Sequence, residues 1–236
     1  MEDRCLRLLV ENVVRVYDSI CEGYSNLRVK PWIWAVKWLG ALRVGDWILD
    51  AGAGSGRHAV YMASLGCWVV ALDISLGMLR EARRLVEKNG VGGFVYLVQA
   101  DLRFLPFRGE CFDRYLSVAA LHHIPGRGSR VKVMREAARC VRPGGIVVVT
   151  VLRLSFKRLL KALLYVLPGR RLLEFGDVLL VWRHRGRKYM RYYHLFTGSE
   201  LAGLADKAGL QVRRVTVDGP SPRLRSANLV LVCVKP

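Results

Sequence analysis

The sequence predicts an α/β fold: a doubly wound, seven-stranded, mostly parallel sheet that ends in a C-terminal antiparallel hairpin. Three observations carry that prediction. The apolar run Trp47-Ile48-Leu49 meets Asp50, then Gly52, Gly54 and Gly56 on alternate residues, and a helix opens near Arg57. This is the strand–glycine turn–helix unit of nucleotide-binding sheets, spaced G-x-G-x-G rather than the dinucleotide G-x-G-x-x-G. Four further apolar runs follow, and the first three of them end at a polar or charged tip. Two β-rich runs, 211–217 and 228–234, finish the chain around the turn Asp218-Gly219-Pro220-Ser221-Pro222.

Each element can be justified in turn. Residues 11–40 read as an N-terminal helical cap in front of the first strand. At the first turn, glycine lets the chain reverse sharply and brings its backbone against a ligand. The second strand, Trp68–Leu72, ends in Asp73, where one carboxylate suits the two vicinal hydroxyls of a ribose. Ile74 to Leu79 leads into a helix that puts Met78 where its soft sulfur can lie against an adenine ring. A third strand, 94–100, runs to Asp101-Leu102, and Asp101 is placed to accept from an adenine amino group. The fourth, 114–121, reaches His122-His123, and the fifth, 145–151, follows the turn Arg142-Pro143-Gly144. Phe156, Leu159, Leu160, Leu163, Leu164 and Leu167 recur at helical spacing opposite Lys157, Arg158 and Lys161, as in a basic amphipathic helix that packs on its domain. Thr197 to Glu200 has capping-box spacing and opens a helix that stops at Gly209.

Length and composition bound the function. With 236 residues and 52% hydrophobic side chains, the chain forms one domain with a substantial core. Its apolar runs are too short for a membrane span, and no secretory signal opens it. Six scattered cysteines with no C-x-x-C pair read as thiols of a reducing cytoplasm, without a metal site. The formal charge is +19, and it is uneven. Residues 1–150 carry 21 basic and 14 acidic side chains, whereas 151–236 carry 17 and 5. Such an excess points to a polyanion, nucleic acid ahead of membrane, with the basic insertion 152–196 contributing to the substrate site.

The glycine turn and the acid-tipped strands together resemble the class I S-adenosylmethionine-dependent methyltransferases. Three further segments sharpen the likeness: Val16-Tyr17-Asp18-Ser19-Ile20 with Tyr24 to Arg28 and Lys30-Pro31-Trp32, then Ser117 to Ile124, and Arg191-Tyr192-Tyr193-His194-Leu195-Phe196. These are similar to the signatures of the tRNA wobble-uridine carboxymethyl methyltransferases, which esterify 5-carboxymethyluridine at the first anticodon position. The resemblance implies S-adenosylmethionine held by Tyr17, Asp50, Gly52, Gly54, Gly56, Asp73, Ile74, Met78, Asp101, Leu102 and Ser117. It also implies the tRNA anticodon region as substrate. A small zinc-binding activator protein is the implied partner in a heterodimer, on the edge strand Phe94–Val98. A carboxylate nucleophile is already ionised at neutral pH and needs an orienting cation rather than a base. Arg28 and Arg191 are the candidates for that cation, and His122 and His194 for contacts to the uridine or the anticodon backbone. A small-molecule methyltransferase and a non-enzymatic cofactor-binding scaffold remain as alternatives.

Overall fold

The computed structural model describes residues 2–27, 30–155, 174–184, 186–218 and 228–236. Helix α1 (Glu2–Leu27) and the short α2 (Ile33–Lys37) precede β1 (Trp47–Ala51), α3 (Arg57–Ser64), β2 (Trp68–Asp73), α4 (Leu76–Lys88), β3 (Val95–Gln99) and β4 (Phe112–Val118). A 3₁₀ turn over Leu121–His123 leads to α5 (Arg127–Cys140) and β5 (Val141–Leu152). Then come β6 (Asp177–His184), β7 (Arg187–His194), α6 (Gly198–Asp206), β8 (Gln211–Asp218) and β9 (Asn228–Val234). The amphipathic helix expected from Phe156 to Leu167 lies outside the described residues.

Seven strands form one sheet in the order β3-β2-β1-β4-β5-β9-β8. Strands β1 to β5 pair in parallel, and β9 is antiparallel to both β5 and β8. The order reverses beside β1, so the crevice at the carboxyl ends of β1 and β4 is where ligands bind in sheets of this type. Period-two alternation splits the strands between two cores. Leu49, Leu72, Tyr115 and Val147 pack on one face with Met134 and Leu204, and Ile48, Val69, Leu116 and Val148 pack on the other with Met62. Each such aliphatic side chain stabilises the fold by roughly 1.5–3 kcal/mol.

Two features depart from the sequence expectation. Strand β5 begins at Val141 instead of 145, because Val141 pairs with Phe112 before a bulge resets the register at Arg114. Gly145 makes this possible, since a Cβ there would lie 2.3 Å from Val141 Cγ1. The second is a separate hairpin, β6–β7, in which Asp177 pairs with His194 and Arg183 with Lys188. Helix α6 starts as its spacing predicts: Thr197 Oγ1 accepts from the Glu200 N–H (3.2 Å).

Candidate active site

The glycine turn shapes a pocket at the carboxyl ends of β1, β2 and β4. The N–H groups of Gly52 and Ala53 both donate to the Leu72 carbonyl (2.8 and 2.9 Å), which fixes the turn to β2. Gly52 has φ +80°, and a Cβ on it would sit 2.3 Å from Ala120 Cβ. Gly54, with φ +56°, differs: a Cβ there meets nothing within 4 Å, so its backbone faces unfilled space. Asp73 ties the turn to α4, accepting from Gly54 N–H (2.8 Å) and Ser75 N–H (2.9 Å). Burial raises the Asp73 carboxyl above its usual range, and those two donors pull it back down. Ile74, Met78, Asp101 and Leu102 complete the wall at this end. The Asp101 carboxylate is gripped by Arg103 through Nε (3.1 Å to each oxygen) and Nη2 (2.6 Å).

Directly before the turn, Asp50 is 1% exposed, and neither of its oxygens makes a well-formed hydrogen bond, the Ala59 N–H acting on the carboxyl only weakly. Burial pushes its carboxyl up to about 7, Arg57 pulls against this, and Asp73 adds to it. A poorly paired buried carboxylate beside a glycine cradle fits a ligand that brings its own positive charge. Arg57 and His58 line the pocket next to it. The Arg57 guanidinium lies 4.7 Å from the Trp32 ring centroid, and His58 Nε2 accepts from the Trp32 N–H (3.2 Å).

Helix α1 forms the opposite wall through Val10, Val13, Tyr17 and Tyr24, a single helical stripe. It is tied down by Asp18 Oδ1, which accepts from Ser75 Oγ (2.6 Å) and the Gly77 N–H (2.9 Å) at the start of α4. Tyr17 links the pocket to the hairpin. His123 Nδ1 lies 2.9 Å from the Tyr192 carbonyl and must carry the proton there, so Nε2 accepts from the Tyr17 hydroxyl (2.7 Å). Arg191 Nη1 donates to the same hydroxyl (3.3 Å). The Arg191 guanidinium lies 4.7 Å from the ring centroid of Trp182, 5.2 Å from that of Tyr193 and 5.9 Å from that of Tyr17. Burial drives His123 and His58 down to about 3, so both are neutral in ordinary buffers.

The structure therefore brings Tyr17, Gly52, Gly54, Asp73, Ile74, Met78, Asp101 and Leu102 around one pocket. Asp50 sits immediately behind it, Ser117 is buried within β4, and Gly56 packs α3 against Ala82 of α4. Arg191 stands one residue back, behind Tyr17. Arg28 lies outside the described residues. Of the two adjacent histidines, His123 lines the pocket, whereas His122 is buried with Nδ1 accepting from the Leu152 N–H (3.2 Å).

His194 is not brought to the pocket. Its ring nitrogens meet Asp177 Oδ1 (2.7 Å) and Glu200 Oε1 (2.8 Å), and Arg130 and Tyr192 join the same buried network. Burial alone would depress its pKa, but the two carboxylates outweigh burial and raise it. Tyr17 of the α1 stripe was expected, whereas Val10, Val13 and Tyr24 beside it, with Arg57, His58 and Trp182, were missed from sequence. Only the stripe left a signal, in the spacing of residues 10, 13, 17 and 24.

A family model described as a methyltransferase domain matches residues 49–149. A putative methyltransferase of Encephalitozoon cuniculi is 31% identical over 201 residues, spanning 85% of this chain and 87% of that protein. The tRNA (carboxymethyluridine(34)-5-O)-methyltransferase of Arabidopsis thaliana is 35% identical over 139 residues, 59% of this chain; the match spans only 32% of the plant protein. Among solved structures, an S-adenosylmethionine-dependent methyltransferase of Methanosarcina mazei superposes with a TM-score of 0.74 at 23% identity, covering 87% of this chain and 98% of that one.

Proposed function

Because the chain belongs to the S-adenosylmethionine-dependent methyltransferases, we propose that it methylates a carboxylate on tRNA. The acceptor we infer is 5-carboxymethyluridine at the first anticodon position, and the product is its methoxycarbonylmethyl ester. The residues present fit the cofactor. Asp73 and Asp101 suit the ribose and adenine, Met78 and Leu102 the ring faces, Gly54 leaves room for the ligand, and the poorly paired Asp50 suits a cationic amino-acid end. Bound there, S-adenosylmethionine would supply an electrophilic methyl carbon to a carboxylate oxygen, with the thioether sulfur as the leaving group.

One observation supports a carboxylate over an amine or hydroxyl acceptor: among the described residues, the pocket offers no histidine base. His123 and His58 both spend Nε2 on accepting hydrogen bonds, and burial holds both near 3. A group that must lose a proton is poorly served by such bases, whereas a carboxylate needs only to be aligned. Arg191 beside Tyr17 supplies a fixed cation for that alignment. The hairpin tip supports a polyanionic carrier. Its register sets Arg183 opposite Lys188, a cross-strand cost that phosphates would offset.

The same reading includes a protein partner. Strand β3 is at the sheet edge, where Phe94 and Tyr96 are 39% and 48% exposed and Tyr96 stacks on Trp47 and Trp68. An apolar edge of this kind accepts a strand or a flat face from another chain, and the small zinc-binding activator is our choice. The place of action we infer is the cytoplasm, where six free cysteines stay reduced. Among the described residues no helix is long and apolar enough to cross a membrane. The test is transfer of radiolabelled methyl to bulk tRNA by the chain co-expressed with its partner. Mild alkali should release the label from an ester; label that survives alkali would overturn the carboxylate assignment.

A further inference from the structure

Among the described residues four buried side-chain N–H donors have no acceptor, on Trp34, Arg130, Trp182 and Arg191, and the last two belong to neighbouring side chains. Arg191 Nε and Trp182 Nε1 are each shut off from solvent without a hydrogen-bond partner. Arg191 is only 8% exposed, and its guanidinium carbon lies 4.7 Å from the Trp182 ring centroid. Unmatched buried donors are uncommon, because each forfeits its hydration without compensation. Two of them on side chains in contact, one cationic, together offer two N–H groups to an anion with two acceptor oxygens.

The surroundings give that receptor a direction. Tyr24 lies against Trp182, with ring centroids 6.1 Å apart, and Tyr24 is also part of the cofactor pocket wall. Tyr17, on the same wall, takes a hydrogen bond from Arg191 Nη1. Tyr24 therefore joins Trp182 to the cofactor pocket. The aromatic rings hold the guanidinium in a fixed plane without an acidic partner to neutralise it. Among the described residues no carboxylate bonds to Arg191, whereas buried Arg130 is paired with Glu174 and Glu200.

We propose that Trp182 Nε1 and Arg191 Nε bind the carboxylate of the methyl acceptor, so that Trp182 is a substrate-positioning residue of this enzyme. The inference rests on the carboxylate acceptor proposed above. A neutral indole N–H orients one oxygen without quenching it as a second cation would, which leaves that carboxylate nucleophilic. Methyl esterification then removes the charge the receptor holds and weakens the product's grip.

The test uses indole N–H resonances of the full chain, labelled with ¹⁵N in tryptophan and saturated with S-adenosylhomocysteine. Trp182→Phe, which keeps a ring under Arg191 but lacks the N–H, identifies the Trp182 signal. Free 5-carboxymethyluridine should move that signal downfield, while its methyl ester and uridine should leave it in place. In turnover, Trp182→Phe should raise KM for carboxymethylated tRNA about ten-fold, one hydrogen bond to a charged group, with cofactor affinity unchanged. A shift produced by acetate but not by carboxymethyluridine would keep the receptor and sink the tRNA reading. A shift produced by inorganic phosphate alone, or by none of these ligands, would overturn the proposal.

Discussion

Cofactor binding should release a proton from Asp50, and the structure sets the size of the effect. Burial holds this carboxyl at about 7 in the free protein, whereas a cation arriving beside its poorly paired oxygens favours the ionised form. Below pH 7 the protein must then surrender a proton to bind, and affinity falls by up to about ten-fold per pH unit. From pH 7.5 down to 5.5 the expected loss is roughly 25-fold, about 1.9 kcal/mol. Isothermal titration with S-adenosylmethionine in buffers of different ionisation enthalpy should count close to one proton released at pH 6 and few at pH 7.5. Asp50→Asn should bind more weakly with a flat pH profile. The free protein should show the linked trend: a carboxyl raised above its unfolded value near 3.9 keeps its proton when folded, so stability falls as pH rises between about 4 and 7. An affinity that does not vary with pH in the wild type would refute the assignment of Asp50 to the cofactor's cationic end.

The other predictions follow from named contacts. Gly52→Ala should destabilise the fold by about 3 kcal/mol, read from urea midpoints, because it combines a left-handed backbone with overpacking on Ala120. Gly54→Ala should cost the fold only about 1 kcal/mol yet lose most cofactor affinity by calorimetry, since its Cβ enters the space the ligand needs. His194 has a raised pKa, so the stability it contributes should be fully present below its unfolded value near 6.5 and lost as pH rises through the folded value. Thermal melts of wild type and His194→Gln should accordingly converge toward alkaline pH. Replacing Arg183, Arg187 and Lys188 at the hairpin tip with glutamine should lower the slope of log affinity for tRNA against log salt by about two to three. The same variant should bind S-adenosylmethionine normally; an unaltered salt slope would place the RNA surface elsewhere.

The main sheet was legible because its strands are apolar runs punctuated by residues with one dominant use. Asp50, Asp73 and Asp101 stand at or next to strand ends, and glycine alternation marks the turn that β1 must make. The pocket's other wall was harder to read. The tyrosines of α1 are ordinary helical residues until the helix is known to cross the crevice, and an orphaned donor such as Trp182 Nε1 is a property of the surroundings, invisible in the chain. Adjacent His122 and His123 fall in a 3₁₀ turn, where consecutive side chains diverge by about a third of a revolution. Sequence cannot tell which of such a pair faces the ligand.

The hairpin shows how one missed strand displaces a functional assignment. Residues 183–188 are so basic that they conceal the β6–β7 pairing, and without it Arg191 and His194 look like members of one catalytic cluster. In a strand, side chains three apart point to opposite faces. Arg191 and Tyr193 accordingly meet Tyr17 and the two adjacent histidines on the pocket side, while Tyr192 and His194 both reach Asp177 on the other. That second face braces the first. Asp177 and Glu200 clasp His194 between the start of β6 and the first turn of α6, and this holds β7 in the register that carries Arg191 to the pocket. His194→Gln should then cost activity through misplacement of Arg191, so Trp182 and Arg191 lose their shared acceptor. In ¹⁵N-tryptophan spectra of that variant the Trp182 indole response to carboxymethyluridine should weaken, with cofactor affinity retained. A full-strength response with lost activity would instead give His194 a direct part in the chemistry.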